Sequence, residues 1–196
     1  MEYPVPIESF RQSEYPIDPQ FLKRWSPRAM NGAKIDLPVL MSLFEAARWA
    51  PSSSNLQPWN FIYGIRDTPA FDGLFQTLGK GNQAWCVNAG ALVLAVSNTQ
   101  QNGKPNKAHA FDTGSAWMSL ALQGSLLNLV VHGMLGFDFI KAHETAALPI
   151  GYEPQAMIAI GHPAPVTQLP ESYREREKPS DRKKIEEFVF EGKWPG

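Results

Sequence analysis

Ala91-Leu92-Val93-Leu94-Ala95-Val96 sets six apolar residues in succession, with no polar residue between them. A run this short and this continuous reads as a strand buried on both faces, because a strand with one wet face alternates polar and apolar side chains. The chain must therefore enclose a sheet. Its 196 residues fit one domain, residues 1–196, large enough to bury roughly 70% of its unfolded surface.

The neighbouring segments alternate helix and strand. Asp36-Leu37-Pro38 is a helix start, with aspartate as the cap and proline in the first turn. Leu40, Leu43, Phe44, Ala47 and Ala50 recur at helical spacing, and Pro51 ends the run. Trp59 to Ile65 reads as a strand, and so does Met157 to Gly161. Asp112 to Val131 predicts the longest helix, apolar on most sides through Leu120, Leu122, Leu126, Leu127 and Val130 and thus central to the core. Glu187-Phe188-Val189-Phe190-Glu191 alternates as an edge strand does, and it follows a long connection that would let it join a partner's sheet. Prolines mark two extended segments, an N-terminal arm over 1–20 and a connection over 163–181 that opens a C-terminal extension reaching 196. Together these give an α+β domain around a sheet of about four strands.

Charge and cysteine content exclude several classes. The net charge is −1, so nothing provides the basic surface that nucleic acid requires. One cysteine, Cys86, rules out an internal disulfide and a cysteine-built zinc site, and no metal is expected. The first residues lack the basic-then-apolar pattern of a secretory leader, and no apolar run reaches a membrane span of about 18 residues. Cytoplasm is the expected compartment, with no membrane partner.

Four segments carry candidate chemistry. Lys23-Arg24-Trp25-Ser26-Pro27-Arg28 sets three cations and a hydroxyl close together, either a clamp for a phosphate or a solvated basic turn. Ala50 to Trp59 holds Pro51, Ser52, Ser53, Asn55 and Gln57 on one polar loop, able to read a heterocycle's edge or simply to turn the chain. Gly81-Asn82-Gln83-Ala84-Trp85 places an amide pair beside an indole, which is also how a helix cap looks. Val131 to Asp138 contains Gly133, Met134, Leu135 and Gly136, where backbone N–H groups can approach a ligand. His132, without a second histidine or an acid at a recognisable spacing, reads as structural.

In this order the segments resemble the FMN-dependent nitroreductase family over residues 20–194. The resemblance lies in Arg24-Trp25-Ser26-Pro27-Arg28, in Ala46 to Trp59, in Asp112-Thr113-Gly114 and in Gly136-Phe137-Asp138. It implies a central, mainly antiparallel sheet flanked by helices, with a C-terminal strand exchanged in a homodimer. Arg24, Trp25 and Ser26 then fall at the phosphate and ribityl side of FMN, with Arg182 as the last phosphate contact. Arg28 falls by the flavin N1–O2 edge. Pro51, Ser52, Ser53, Asn55 and Gln57 fall on a loop given by the other subunit, and Asn82 at the pyrimidine edge. Met134, Leu135 and Gly136 fall near N5, with Arg28, Leu135 and Gly136 as the catalytic set. The implied reaction is ping-pong electron transfer from NAD(P)H to nitroaromatic, quinone or similar acceptors, with NADH and NADPH not distinguished. Carrier or sensor, reductive dehalogenase and flavin-consuming enzyme are the alternatives. Trp85 stands where many relatives have a lysine near flavin O2, which leaves Arg28 as the cation there and offers Trp85 to a substrate channel.

Overall fold

In the computed structural model, residues 6–196 are described. In chain order the main elements are α1 (Pro19–Lys23), α2 (Leu37–Arg48), β1 (Trp59–Ile65), α3 (Pro69–Phe75), α4 (Lys80–Cys86), β2 (Ala91–Asn98), β3 (Gln100–Gln101), β4 (Lys104–Pro105), α5 (His109–Leu126), β5 (Val130–Met134), α6 (Phe139–Thr145), β6 (Tyr152–Gly161) and α7 (Glu171–Arg174). The sheet runs β1-β2-β6-β5, and each neighbouring pair is antiparallel. β3 and β4 form a separate small hairpin.

β2 explains the architecture. Seven of its residues, Ala91 to Ser97, are buried, and alternate side chains serve two different cores. Leu92, Leu94 and Val96 point into one with Phe71, Leu74, Trp85 and Cys86 of α3 and α4 and with Ala142 of α6. Ala91, Val93 and Ala95 point into the other with Leu40, Leu43 and Ala47 of α2 and Ala116, Leu120 and Ala121 of α5. Leu40, Leu43 and Leu120 are wholly excluded from solvent, each a stabilisation of about 1.5–3 kcal/mol. Gly64 lets β1 lie against α3, since a Cβ there would stand 2.2 Å from the Phe71 nitrogen.

Three expectations are corrected. The long helix begins earlier and stops at Leu126, so Val130 and Val131 belong to β5. Asn128 takes a left-handed φ of 56°, and the Leu129 N–H returns to the Gly124 carbonyl at 2.8 Å, which closes the helix. Leu126 and Leu127 are 60% and 42% exposed, so the helix is not apolar into the core all round. At the C-terminus, 187–191 forms no strand; a single 3₁₀ turn covers Ile185–Glu187, and Phe188, Val189 and Phe190 face solvent. Both edges of the sheet, β1 and β5, are left unextended by this segment within the chain. Asp36 caps α2 by position only, because its side chain makes no cap hydrogen bond.

The 163–181 connection is extended apart from α7 and one 3₁₀ turn at Val166–Gln168. The N-terminal arm expected over 1–20 carries a 3₁₀ turn at Ile7–Ser9 before α1, and its first five residues lie outside the described part.

Candidate functional site

α1 ends at Lys23 because Arg24 turns extended, with φ −67° and ψ 118°. The chain then runs past the C-terminal end of β5, and there a cavity of about 380 Å³ opens. Arg24 and Ser26 line it from one side, Gly133, Met134 and Leu135 from the β5 end, and Trp117 and Met118 from α5. Two of the four candidate segments thus meet around one cavity.

The cationic side of this cavity is built by more than Arg24. The Arg24 Nη1 lies 3.4 Å from Ser26 Oγ, while its Nε is buried with no hydrogen-bond partner. An orphaned buried donor costs about 1–3 kcal/mol, so Arg24 is prepared for an acceptor that the chain does not supply. Burial, followed by the charge of Arg182, holds the Arg24 guanidinium below its ordinary range. Arg182 itself is exposed and folds back on Ser180 and Asp181.

Sequence reasoning missed Arg11. It is 8% exposed and bonds the Leu22 and Arg24 carbonyls at 2.9 and 2.8 Å and the Ser180 carbonyl at 2.8 Å. Burial and then the charges of Arg182 and Arg24 lower its pKa, so the three guanidinium groups share one region. A lone arginine in a proline-rich arm carries no signal of such a role.

At the β5 end, the Gly136 carbonyl accepts from Gly79 N–H at 3.0 Å and from Asn82 Nδ2 at 2.9 Å. Asn82 is therefore engaged in fixing the loop, and a Cβ at Gly136 would come within 2.6 Å of it. Among the described residues no group accepts from the Leu135 or Gly136 N–H. Leu135 is 66% exposed.

Arg28 stands one layer behind the cavity wall rather than on it. Its Nη1 is 3.7 Å from Glu177 Oε2, and its guanidinium carbon is 6.0 Å from the Trp85 ring centre. Trp85 is 1% exposed and packs against His132 with ring centres 4.7 Å apart. That corrects the idea of Trp85 at a substrate channel, since an indole enclosed on all sides lines no passage. His132 is structural, as expected: Nδ1 donates to the Pro27 carbonyl at 2.9 Å, and burial lowers its pKa to about 4. Burial likewise pushes the Cys86 thiol up, away from reactivity.

The Pro51-to-Gln57 loop does not reach this cavity within the chain. Ser53 N–H bonds the buried Asp112 carboxylate at 3.1 Å, and Gln57 N–H bonds Ser52 Oγ at 3.0 Å. Ser54, Asn55 and Gln57 hold φ of 48°, 56° and 47°, three non-glycine residues in a region that costs about 1–3 kcal/mol each. Trp25 is half-buried and does not line the cavity.

An antiparallel four-stranded sheet enclosed by helices, with Arg24 and Ser26 and the end of β5 lining one cavity, is an α+β scaffold with a cationic cavity at its sheet edge. A sequence profile of the Nitroreductase family matches residues 22–68. A solved structure described as the oxidoreductase containing FMN is 41% identical, with 95% of this chain and 96% of that one covered at a TM-score of 0.91. Protein DrgA of Synechocystis is 29% identical over 154 residues, 61% of this chain and 70% of its own. A nitroreductase family protein of Clostridium difficile shares the fold at a TM-score of 0.68 and 20% identity, covering 87% and 95% of the two chains. This chain belongs to the nitroreductase family.

Proposed function

We propose that this chain is an FMN-dependent oxidoreductase that works as a homodimer, taking electrons from NAD(P)H and delivering them to electron-poor acceptors such as nitroaromatics and quinones. One observation carries the reading: the buried, partnerless Arg24 Nε beside Ser26 on the wall of a cavity also lined by the Gly133–Leu135 end of β5. A terminal phosphate fits that donor set, because guanidinium and hydroxyl donors match phosphate oxygens. Arg182 adds charge from the exposed side. The 41% identical structure, described as containing FMN, supports the same cofactor here.

FMN, when bound, supplies the redox chemistry. The chain's own residues hold and orient it. Arg24, Ser26 and Arg182, with Trp25 beside them, grip the phosphate end. Leu135 and Gly136 would offer their backbone N–H groups to the reacting edge, Met134 would line the same cavity, and Asn82 keeps that loop in place through the Gly136 carbonyl. Arg28 provides positive charge toward the N1–O2 edge, where negative charge collects on reduction. Pro51, Ser52, Ser53, Asn55 and Gln57 serve the partner's site, which is consistent with their distance from the cavity of their own chain. Exposed Trp49, Phe111, Leu126 and Leu127 supply apolar surface for that association. No described helix is long and apolar enough to cross a membrane, and the buried free thiol suits a reducing cytoplasm.

Absorbance spectra of the purified protein, before and after each nicotinamide is added, test this reading. Flavin bands that bleach with NADH or NADPH and recover with a quinone are expected. Colourless protein that takes up no FMN overturns it, and bands that bleach with neither nicotinamide reduce it to a flavin carrier.

A further inference from the structure

Glu177 sits in the connection that returns toward the cavity, 149 residues from Arg28. It is 5% exposed. Its Oε1 accepts the Arg28 N–H at 2.6 Å and the Ala29 N–H at 2.8 Å, an acceptor-only role that suits an ionised carboxylate. Its Oε2 is different. That atom is buried with no hydrogen-bond partner, and the cation facing it is Arg28, 3.7 Å away. A carboxylate needed only to tie down two amides would leave its second oxygen to water. Here that oxygen is kept from solvent against a guanidinium, an arrangement stable only while the cation stays in place.

The pair lies close to the cavity. Ser26, two residues before Arg28, lines the wall. The Pro27 carbonyl is bonded by His132, whose neighbour Gly133 lines the wall opposite. Arg28 also faces Trp85, which brings no charge.

We propose that Glu177 is the counter-charge of Arg28, a positioning residue that holds the guanidinium behind the cavity wall and offsets its field, so that the pair rather than Arg28 alone sets the reduction potential of the bound flavin. This rests on the FMN reading above. A unit charge about a nanometre away, in partly buried surroundings, changes the ratio of affinities for reduced and oxidised flavin by on the order of tenfold. For a two-electron couple, tenfold is ~30 mV.

The test is the reduction potential of the FMN-loaded protein in four forms. Glu177→Gln keeps the shape and the acceptor for the two amides but removes the charge, and its potential is expected ~30 mV more positive, a tenfold change. Arg28→Gln leaves Glu177 uncompensated, and the potential moves a similar distance the other way. The double variant has no net charge to lose, so its ratio returns to within about threefold of wild type. Glu177→Asp retains the charge and stays near wild type. A merely structural Glu177 lowers stability or FMN occupancy and leaves the potential of the loaded fraction unmoved; that result overturns the proposal, as does a double variant that matches Arg28→Gln. Should Glu177→Gln fail to fold, the double variant carries the test, since it leaves no buried charge alone. Wild-type protein that binds no flavin at all overturns the functional reading instead, a separate and visible failure.

Discussion

Lowering the pH should destabilise this fold through His132, and the size of the effect follows from its surroundings. Burial, helped by the nearby Arg28 charge, outweighs the backbone hydrogen bonds to Pro27 and Ser26 and holds the imidazole at about 4 rather than 6.5. A carbonyl can only accept, so the proton sits on Nδ1 and Nε2 keeps its lone pair. Above the unfolded value, folded and unfolded chains both carry a neutral ring and the contribution is fully present. As the pH falls below it, the unfolded chain takes up a proton that the folded chain refuses, and stability drops until the folded value is reached. The loss is about 2 kcal/mol at about pH 5 and about 3 kcal/mol in full. Urea denaturation at about pH 7.5 and pH 5 measures it, at fixed protomer and cofactor concentration because both shift apparent stability. His132→Asn keeps a donor for Pro27 but cannot titrate. It should be less stable at neutral pH, yet lose about 2 kcal/mol less than wild type on acidification. Equal losses in the two proteins would refute the reasoning, because every other titrating group is common to both.

Three further outcomes are expected. Arg24→Ala should weaken FMN binding by about one to two decades, the worth of a charged hydrogen bond of about 1.5–3 kcal/mol; fluorescence titration with unchanged affinity would put the phosphate elsewhere. Gly136→Ala should displace the Asn82 amide and remove one hydrogen bond, about 0.5–1.5 kcal/mol of stability, with lower FMN occupancy at native helix content; circular dichroism and bound flavin report the two halves. Deleting 183–196 should lower the melting temperature and shift the protein toward monomer on size-exclusion chromatography. A truncated chain that stays dimeric and fully loaded would count against the exchange of that arm.

The sequence was most legible where local pattern and tertiary demand agreed. β1 runs from Trp59 to Ile65 as its composition suggests, and β2 shows the two-sided burial that its unbroken apolar run requires. The end of α5 was misjudged because Leu126, Leu127, Leu129, Val130 and Val131 continue an apolar stretch through two different elements. Asn128 was the one available signal, an amide that tolerates the left-handed turn. The C-terminal segment alternates as a strand does, but alternation says nothing about which sheet is within reach. Within the site, Arg24 and Ser26 were readable because they lie two residues apart, as were Met134 and Leu135. Arg11 and Glu177 were not, because each acts across about 150 residues or more of chain, where no periodicity points.

Arg11 has a consequence for how the protein matures. Its guanidinium joins carbonyls at residues 22, 24 and 180, so a group near residue 11 waits for one made about 170 residues later. Until residue 180 has emerged, the Arg24 segment lacks one of the clamps that hold it against the cavity. The clamp on the Arg24 segment therefore closes only when both ends of this span are together, and a chain cut between residues 24 and 180 should lose it even with the sheet already formed.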